Sequence, residues 1–166
     1  MITSSVVRRI PILKVLLARP VTEKSVASGG PPAAGSQFGG SVQLRHVDAG
    51  SCNGCEIEIA SAFGPVWDAG RFGARLVASP RHADGVLVTG VVTKNMVVPL
   101  EKAYEAVPRP RVVVACGDCA VNGGGIADAY GVAGAPGDFI PVDVEIPGCP
   151  PDPSAITEAL RGLSGR

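Results

Sequence analysis

"RVVVACGDCAVNGG", residues 111–124, runs from an almost wholly apolar stretch straight into a glycine-rich loop with two cysteines. An apolar run this short, without alternation and rich in valine, fits a strand buried on both faces. "GVLVTG" (85–90) reads the same way, and the runs 86–88 and 112–114 suit the centre of a sheet. Working outward, "VQLRHVD" (42–48), "RLVAS" (75–79) and "IPVDVEI" (140–146) read as further strands. Between them "EIEIASAF" (56–63), "KNMVVPLEKAYEAV" (94–107) and "PSAITEALRGL" (153–163) read as helices. Pro99 makes the first turn of the second helix irregular, and Pro153 sits near the start of the third, where a missing N–H costs little. Strands alternating with helices predict an α/β domain over 42–166, with a mainly parallel sheet of four to five strands covered on both faces.

Ahead of this domain lie two segments of different character. Residues 1–26 hold an amphipathic helix candidate, with Ile10, Leu13, Leu16 and Leu17 on one face and Arg8, Arg9, Lys14 and Arg19 mostly off it. Lys14 and Pro11 interrupt its apolar run, so it reads as an uncleaved segment that contacts a protein neighbour, with a membrane surface as the other choice. Residues 27–41, "ASGGPPAAGSQFGGS", read as a Gly/Pro/Ser linker.

The composition narrows the function classes. The chain has 166 residues, enough to bury one real core, and only 18% of them are charged. That is below the usual quarter and points to surface covered by partners. Basic and acidic residues balance at 15 each, so nothing calls for a nucleic acid. No stretch reaches the 18 apolar residues of a membrane span. The five cysteines are an odd number, and the absence of an export signal implies the reducing cytosol, so structural disulfides are not expected.

The cysteines stand at 52, 55, 116, 119 and 149. Each group follows directly on a predicted strand, and in an open parallel sheet ligand sites lie beyond the carboxyl ends of the strands. Three loops would therefore deliver thiols to one rim. Gly50, Gly54, Gly117, Gly123, Gly124, Gly125 and Gly148 surround them, and Pro150 and Pro151 follow Cys149. Glycines let backbone N–H groups approach a negatively charged cluster of thiolates and sulfides. A proline after a ligating cysteine also occurs in ferredoxin-type runs. The pattern favours a cubane iron–sulfur cluster on four cysteines. A structural four-thiolate zinc site is the alternative, although residues 56–115 separate the two C-x-x-C pairs far more widely than in a zinc ribbon. A thioredoxin-like couple would leave Cys149 unexplained.

"GSCNGCEIE", "SPRHADGVLVTG", "CGDCAVNGG" and "VEIPGCPPDP" resemble, in order, segments of the small iron–sulfur subunit shared by [NiFe] hydrogenases and NADH:quinone oxidoreductase, the 20-kDa-type subunit of complex I. The resemblance spans about residues 42–163 and implies a flavodoxin-like three-layer domain carrying one [4Fe-4S] cluster. It implies the ligand set Cys52, Cys55, Cys119 and Cys149, because the family's third ligand begins a C-A-x-x-G-G motif, here Cys119 to Gly124. Cys116 then falls on a position usually held by a small apolar residue and is a non-ligand.

Complex I subunits of this type carry adjacent cysteines as their first two ligands, whereas this chain has C-N-G-C, as the hydrogenase branch does. Five cysteines leave room for one cluster only. The resemblance therefore points to the membrane-bound group 4 hydrogenase type, like the small subunit of formate hydrogenlyase. A complex I-like role passing electrons to quinone is the second reading, and a non-catalytic zinc-binding module the third.

The expected role is an electron relay between a ferredoxin-like subunit and a large catalytic subunit, which would hold any nickel. The chain would sit with membrane subunits, peripherally, on the cytoplasmic face of the cell membrane. No complete active site is expected in this chain. Glu58 is a candidate for proton handling at the large-subunit interface. Gly54, Gly123, Arg81 and His82 are candidates for tuning the cluster, Arg81 and His82 by favouring its reduced, more negative state. Arg71 and Arg75 fall in the same basic stretch. Thr89 and Gly90 end a strand at the cysteine rim, where they would pack on the cluster or turn the chain.

Overall fold

The computed structural model describes residues 38–166, and the predicted amphipathic helix and most of the predicted linker lie outside them. Five strands form one parallel sheet: β1 (Val42–Asp48), β2 (Ala74–Leu76), β3 (Gly85–Thr89), β5 (Val112–Cys116) and β7 (Val144–Ile146). Their spatial order is β2-β1-β3-β5-β7. Counted within this sheet alone, that is the 2-1-3-4-5 order of doubly wound flavodoxin-like domains. A separate antiparallel ribbon pairs β4 (Val92–Thr93) with β6 (Val132–Gly134).

The period of two along each strand separates two cores. Val42 and Leu44 of β1, Leu87 of β3, and Val112 and Val114 of β5 face helices α1 (Gly54–Ala62) and α4 (Pro153–Ser164). Ile156, Leu160 and Leu163, spaced along one stripe of α4, close that side. On the opposite face Val47, Val86, Val88 and Val113 pack with Leu100 of α2 (Val97–Ala106). Both faces of β3 and β5 are buried, which is why these strands read as unbroken apolar runs. The three-layer expectation therefore holds.

Local chemistry sets the ends of the elements. Asp152 caps α4 by accepting from Ser154 N at 2.8 Å, and Pro153 takes the first helical position. Pro99 sits in the first turn of α2, where its missing N–H has no partner to lose. The strand expected over 140–146 is shorter than read, because only Val144–Ile146 pair with β5. A one-and-a-half-turn helix, α3 (Asp118–Asn122), follows β5 directly.

Candidate functional site

Parallel pairing in register brings the ends of β1, β3 and β5 to one rim, with Asp48 beside Thr89 and Thr89 beside Cys116. The loop after β1 holds Cys52 and leads into α1, whose second residue is Cys55. The loop after β5 turns into α3, whose second residue is Cys119. The loop after β7 holds Cys149, and its bond to Pro150 is cis.

Two clamps fix these loops. Asp48 Oδ1 accepts from the N–H groups of Gly50 (2.9 Å) and Ser51 (2.8 Å), which tightens the first loop. Between the other two loops, Gly148 N–H donates to Asp118 Oδ1 at 2.7 Å and Asp118 N–H donates to Gly148 O at 2.8 Å. Gly117 N–H also donates to Ile146 O at 2.8 Å, so Cys119 and Cys149 flank a junction tied by three hydrogen bonds.

Gly117 shows how close the elements come. Its φ is +94°, and a Cβ there would stand 2.5 Å from Cys55 Sγ. Only glycine leaves that thiol its place. Gly90 has φ +75°, and a Cβ on it would fall on the Gly50–Ser51 backbone, so the Thr89-Gly90 turn seats the first cysteine loop.

The thiols feel one another. Cys55 is pushed up to about 11, first by burial, then by Glu56, and then by Cys52, Cys119 and Cys149. The Cys119 thiol is also raised, by burial and then by Cys149, Cys52 and Asp118, against one lowering backbone hydrogen bond. Cys52 and Cys149 are exposed, Cys119 is half-buried and Cys55 is buried. Four thiols from three loops thus share one rim at graded depth. Cys116 lies apart from three of them: fully buried, part of the α1/α4 core, and pushed up to about 12 by burial and then by Cys55 and Glu56. Among the described residues no group of three or more Cys, His, Asp or Glu side chains closes around a point that could hold a single metal ion.

The other predicted positions divide. Gly54 opens α1, where a Cβ would make ordinary contact with Cys52 Sγ at 3.5 Å. Gly123 ends α3 in the left-handed region. Glu58 is half-buried, next to the buried Ile59. Arg81 and His82 lie at the other end of the sheet. They form a turn that precedes β3, with Pro108, Arg109 and Pro110 beside them at the amino ends of the strands. The five residues of β3 then separate them from the cysteine rim, about 17 Å at roughly 3.3 Å per residue. That is longer than the ~8–10 Å over which an exposed charge acts in salt solution. Arg71 and Arg161 both stack on Phe72, and Arg75 is exposed on the edge strand β2.

Glu56 had no role in the sequence reading. Its carboxylate lies at the rim, accepting from Ser51 Oγ at 2.7 Å and from Thr89 Oγ1, with His46 Nε2 at 3.6 Å. Sequence offers Glu56 and Glu58 alike, and only the buried stripe Cys55, Ile59, Ala62 fixes which way each points.

The family described as NADH ubiquinone oxidoreductase, 20 Kd subunit, matches residues 52–163. Formate hydrogenlyase subunit 7 of Escherichia coli K12 is 48% identical over 115 residues, which are 69% of this chain and 45% of that protein. The match thus spans less than half of that relative. A probable membrane-bound hydrogenase subunit of Pyrococcus furiosus is 50% identical over 124 residues, 74% of each chain. Among solved structures, a chain of the membrane-bound sulfane sulfur reductase, an archaeal respiratory membrane complex, superposes with a TM-score of 0.67 at 34% identity, covering 79% of this chain and 72% of that one.

Proposed function

Because this chain belongs to the family of the NADH ubiquinone oxidoreductase 20 Kd subunit, we propose that it is the electron-transfer subunit of a membrane-bound, group 4 [NiFe]-hydrogenase-type complex. In this reading one [4Fe-4S] cluster is held by Cys52, Cys55, Cys119 and Cys149. The observation that carries it is the meeting of these four thiols, from three loops, at the carboxyl rim of one parallel sheet. The donor set fits such a cluster: four soft thiols at the rim, with the fifth, Cys116, buried in the core and Gly117 leaving space for Cys55 Sγ. The C-x-x-C spacing of Cys52 and Cys55, and the likeness to two hydrogenase-type subunits, favour the hydrogenase branch.

When bound, such a cluster supplies one-electron transfer. The chain's own residues do the placing. Asp48 and Asp118 hold the ligand loops through backbone N–H groups. The buried face of α1 keeps Cys55 against the sheet, while Cys52 and Cys149 face outward toward a partner. The partners are a ferredoxin-like subunit on one side and a large subunit on the other, with membrane subunits nearby. Among the described residues no helix is long and apolar enough to cross a membrane. The proposed position is peripheral, on the cytoplasmic face. Glu58, three residues after Cys55, is the proposed proton-handling group on the side of α1 away from Glu56.

The test is metal and sulfide analysis of anaerobically purified complex. Iron and acid-labile sulfide at about four each per chain, with a broad visible band that bleaches on reduction, are expected. Stoichiometric zinc without sulfide would overturn the assignment in favour of a structural module. The family match also favours a second reading, a complex I-like subunit passing electrons to quinone. Nickel in the large subunit separates the two: present for the first, absent for the second.

A further inference from the structure

We propose that Glu56 is a fixed negative charge that lowers the reduction potential of the cluster, anchored for that purpose by Ser51, Thr89 and His46. The inference rests on the cluster reading above and adds a tuning residue to it.

The hydrogen bonds fix where the carboxylate sits. Ser51 Oγ donates to Glu56 Oε2 at 2.7 Å, and Thr89 Oγ1 donates to Oε1. Each hydroxyl is backed by a donor of its own. Asn53 N–H donates to Ser51 Oγ at 3.0 Å, and His46 Nε2 stands 2.9 Å from Thr89 Oγ1. Thr89 has one proton and directs it at Glu56, so His46 donates through Nε2–H. Both carboxylate oxygens are thus held by hydroxyl groups, the surroundings that suit a carboxylate accepting hydrogen bonds.

No paired cation beside it, among the described residues, cancels that charge. Among the described residues no Lys or Arg forms an ion pair with Glu56, and His46 is its one neighbour of that kind. Burial holds His46 below its ordinary 6.5, outweighing the opposite pull of Glu56 and Asp48, so the imidazole is neutral at neutral pH. Thr89 is fully buried and the Glu56 side chain is 17% exposed, so solvent screens the site poorly. The carboxylate also sits among the ligands: Glu56 directly follows Cys55, and the Ser51 hydroxyl that binds it directly precedes Cys52.

One electron passed by the ferredoxin-like subunit to a cluster held here would add one negative charge among the thiolates. A carboxylate fixed beside them makes that addition less favourable.

The experiment is an EPR-monitored redox titration of the intact complex carrying Glu56→Gln, Glu56→Ala or Glu56→Asp. The Gln and Ala variants are expected to keep wild-type iron and become easier to reduce by on the order of tenfold in equilibrium constant, ~59 mV for one electron. Asp keeps the charge and is expected to stay near wild type. An unchanged potential in an iron-replete Gln or Ala variant overturns the inference and leaves the cluster reading intact. So does loss of the cluster in both neutral variants but not in Asp, or an equal shift in all three, since each assigns Glu56 a purely structural role. Absence of iron and sulfide from the wild type overturns the cluster reading itself, and the inference with it.

Discussion

At residue 116 the chain puts a cysteine where the core needs a small apolar side chain. Cys116 has no exposed surface and packs among Val114, Leu87 and Ile146 in the α1/α4 core. A free buried cysteine behaves as a small hydrophobe. Cys116→Ala is therefore expected to leave iron and sulfide unchanged and to cost about 1 kcal/mol, the value of roughly one buried methylene-sized group, read from the urea midpoint. Cys119→Ala is expected to lose the cluster. The opposite pattern would reverse the ligand assignment. One residue on, Gly117→Ala brings a Cβ to 2.5 Å from Cys55 Sγ at a φ of +94°. Strain of about 1–3 kcal/mol and a displaced thiol are expected together, seen as a lower midpoint and substoichiometric iron. At this scale the sequence was legible where chemistry is rare, as with cysteines, and illegible where it is common. Glu56 and Glu58 look alike in "CEIEIA" until the buried stripe of α1 orients them.

Elements were legible in proportion to their length and burial. β3 and β5 are five residues each, buried throughout, and their sequence runs coincide with them nearly end to end. β4 and β6, at two and three residues, carry no periodicity to read. Their pairing is a tertiary matter, as is the shortening of the last strand to three residues. The position of Arg81 and His82 was hard to read for a related reason. The crossover from β2 to β3 is carried by a short turn rather than a helix, so the sequence gives no sign that the chain has already returned to the amino edge. Helix ends are where an element meets solution conditions. The two hydrogen bonds from Ser154, side chain first and then backbone, hold the Asp152 carboxyl below its ordinary 3.8. A folded value below the unfolded one stabilises the fold at pH above the unfolded value, and that contribution fades as pH falls through the folded one. Asp152→Ala is thus expected to lower the unfolding midpoint at pH 7, with the gap to wild type closing below 3.8. A gap of constant size down to pH 2 would assign the effect to something other than the cap's ionisation.

For the whole molecule, topology explains why three short loops suffice. In a sheet of order β2-β1-β3-β5-β7 every strand points the same way, so each β-to-α turn opens on the same rim. Strand order reverses between β1 and β3, which leaves a crevice at that rim, and the first cysteine loop enters it beside Thr89. The sequence could announce this rim from strand ends alone, but not the depth of each thiol, which depends on helices packed across it. Depth is measurable. In the full chain stripped of metal by a chelator under reducing, anaerobic conditions, alkylation at neutral pH requires both access and thiolate. Cys52 and Cys149 are exposed, Cys119 is half-buried, and Cys55 and Cys116 are buried with thiols pushed up to about 11 and about 12. Mass spectrometry over a time course is expected to show modification of Cys52 and Cys149 first, Cys119 next, Cys55 later and Cys116 last. Native loaded complex is expected to protect the first four while mild denaturation frees all five. Early labelling of Cys116, or equal rates at all five sites in the folded chain, would mean that the rim does not hold its thiols at the depths this sheet assigns them.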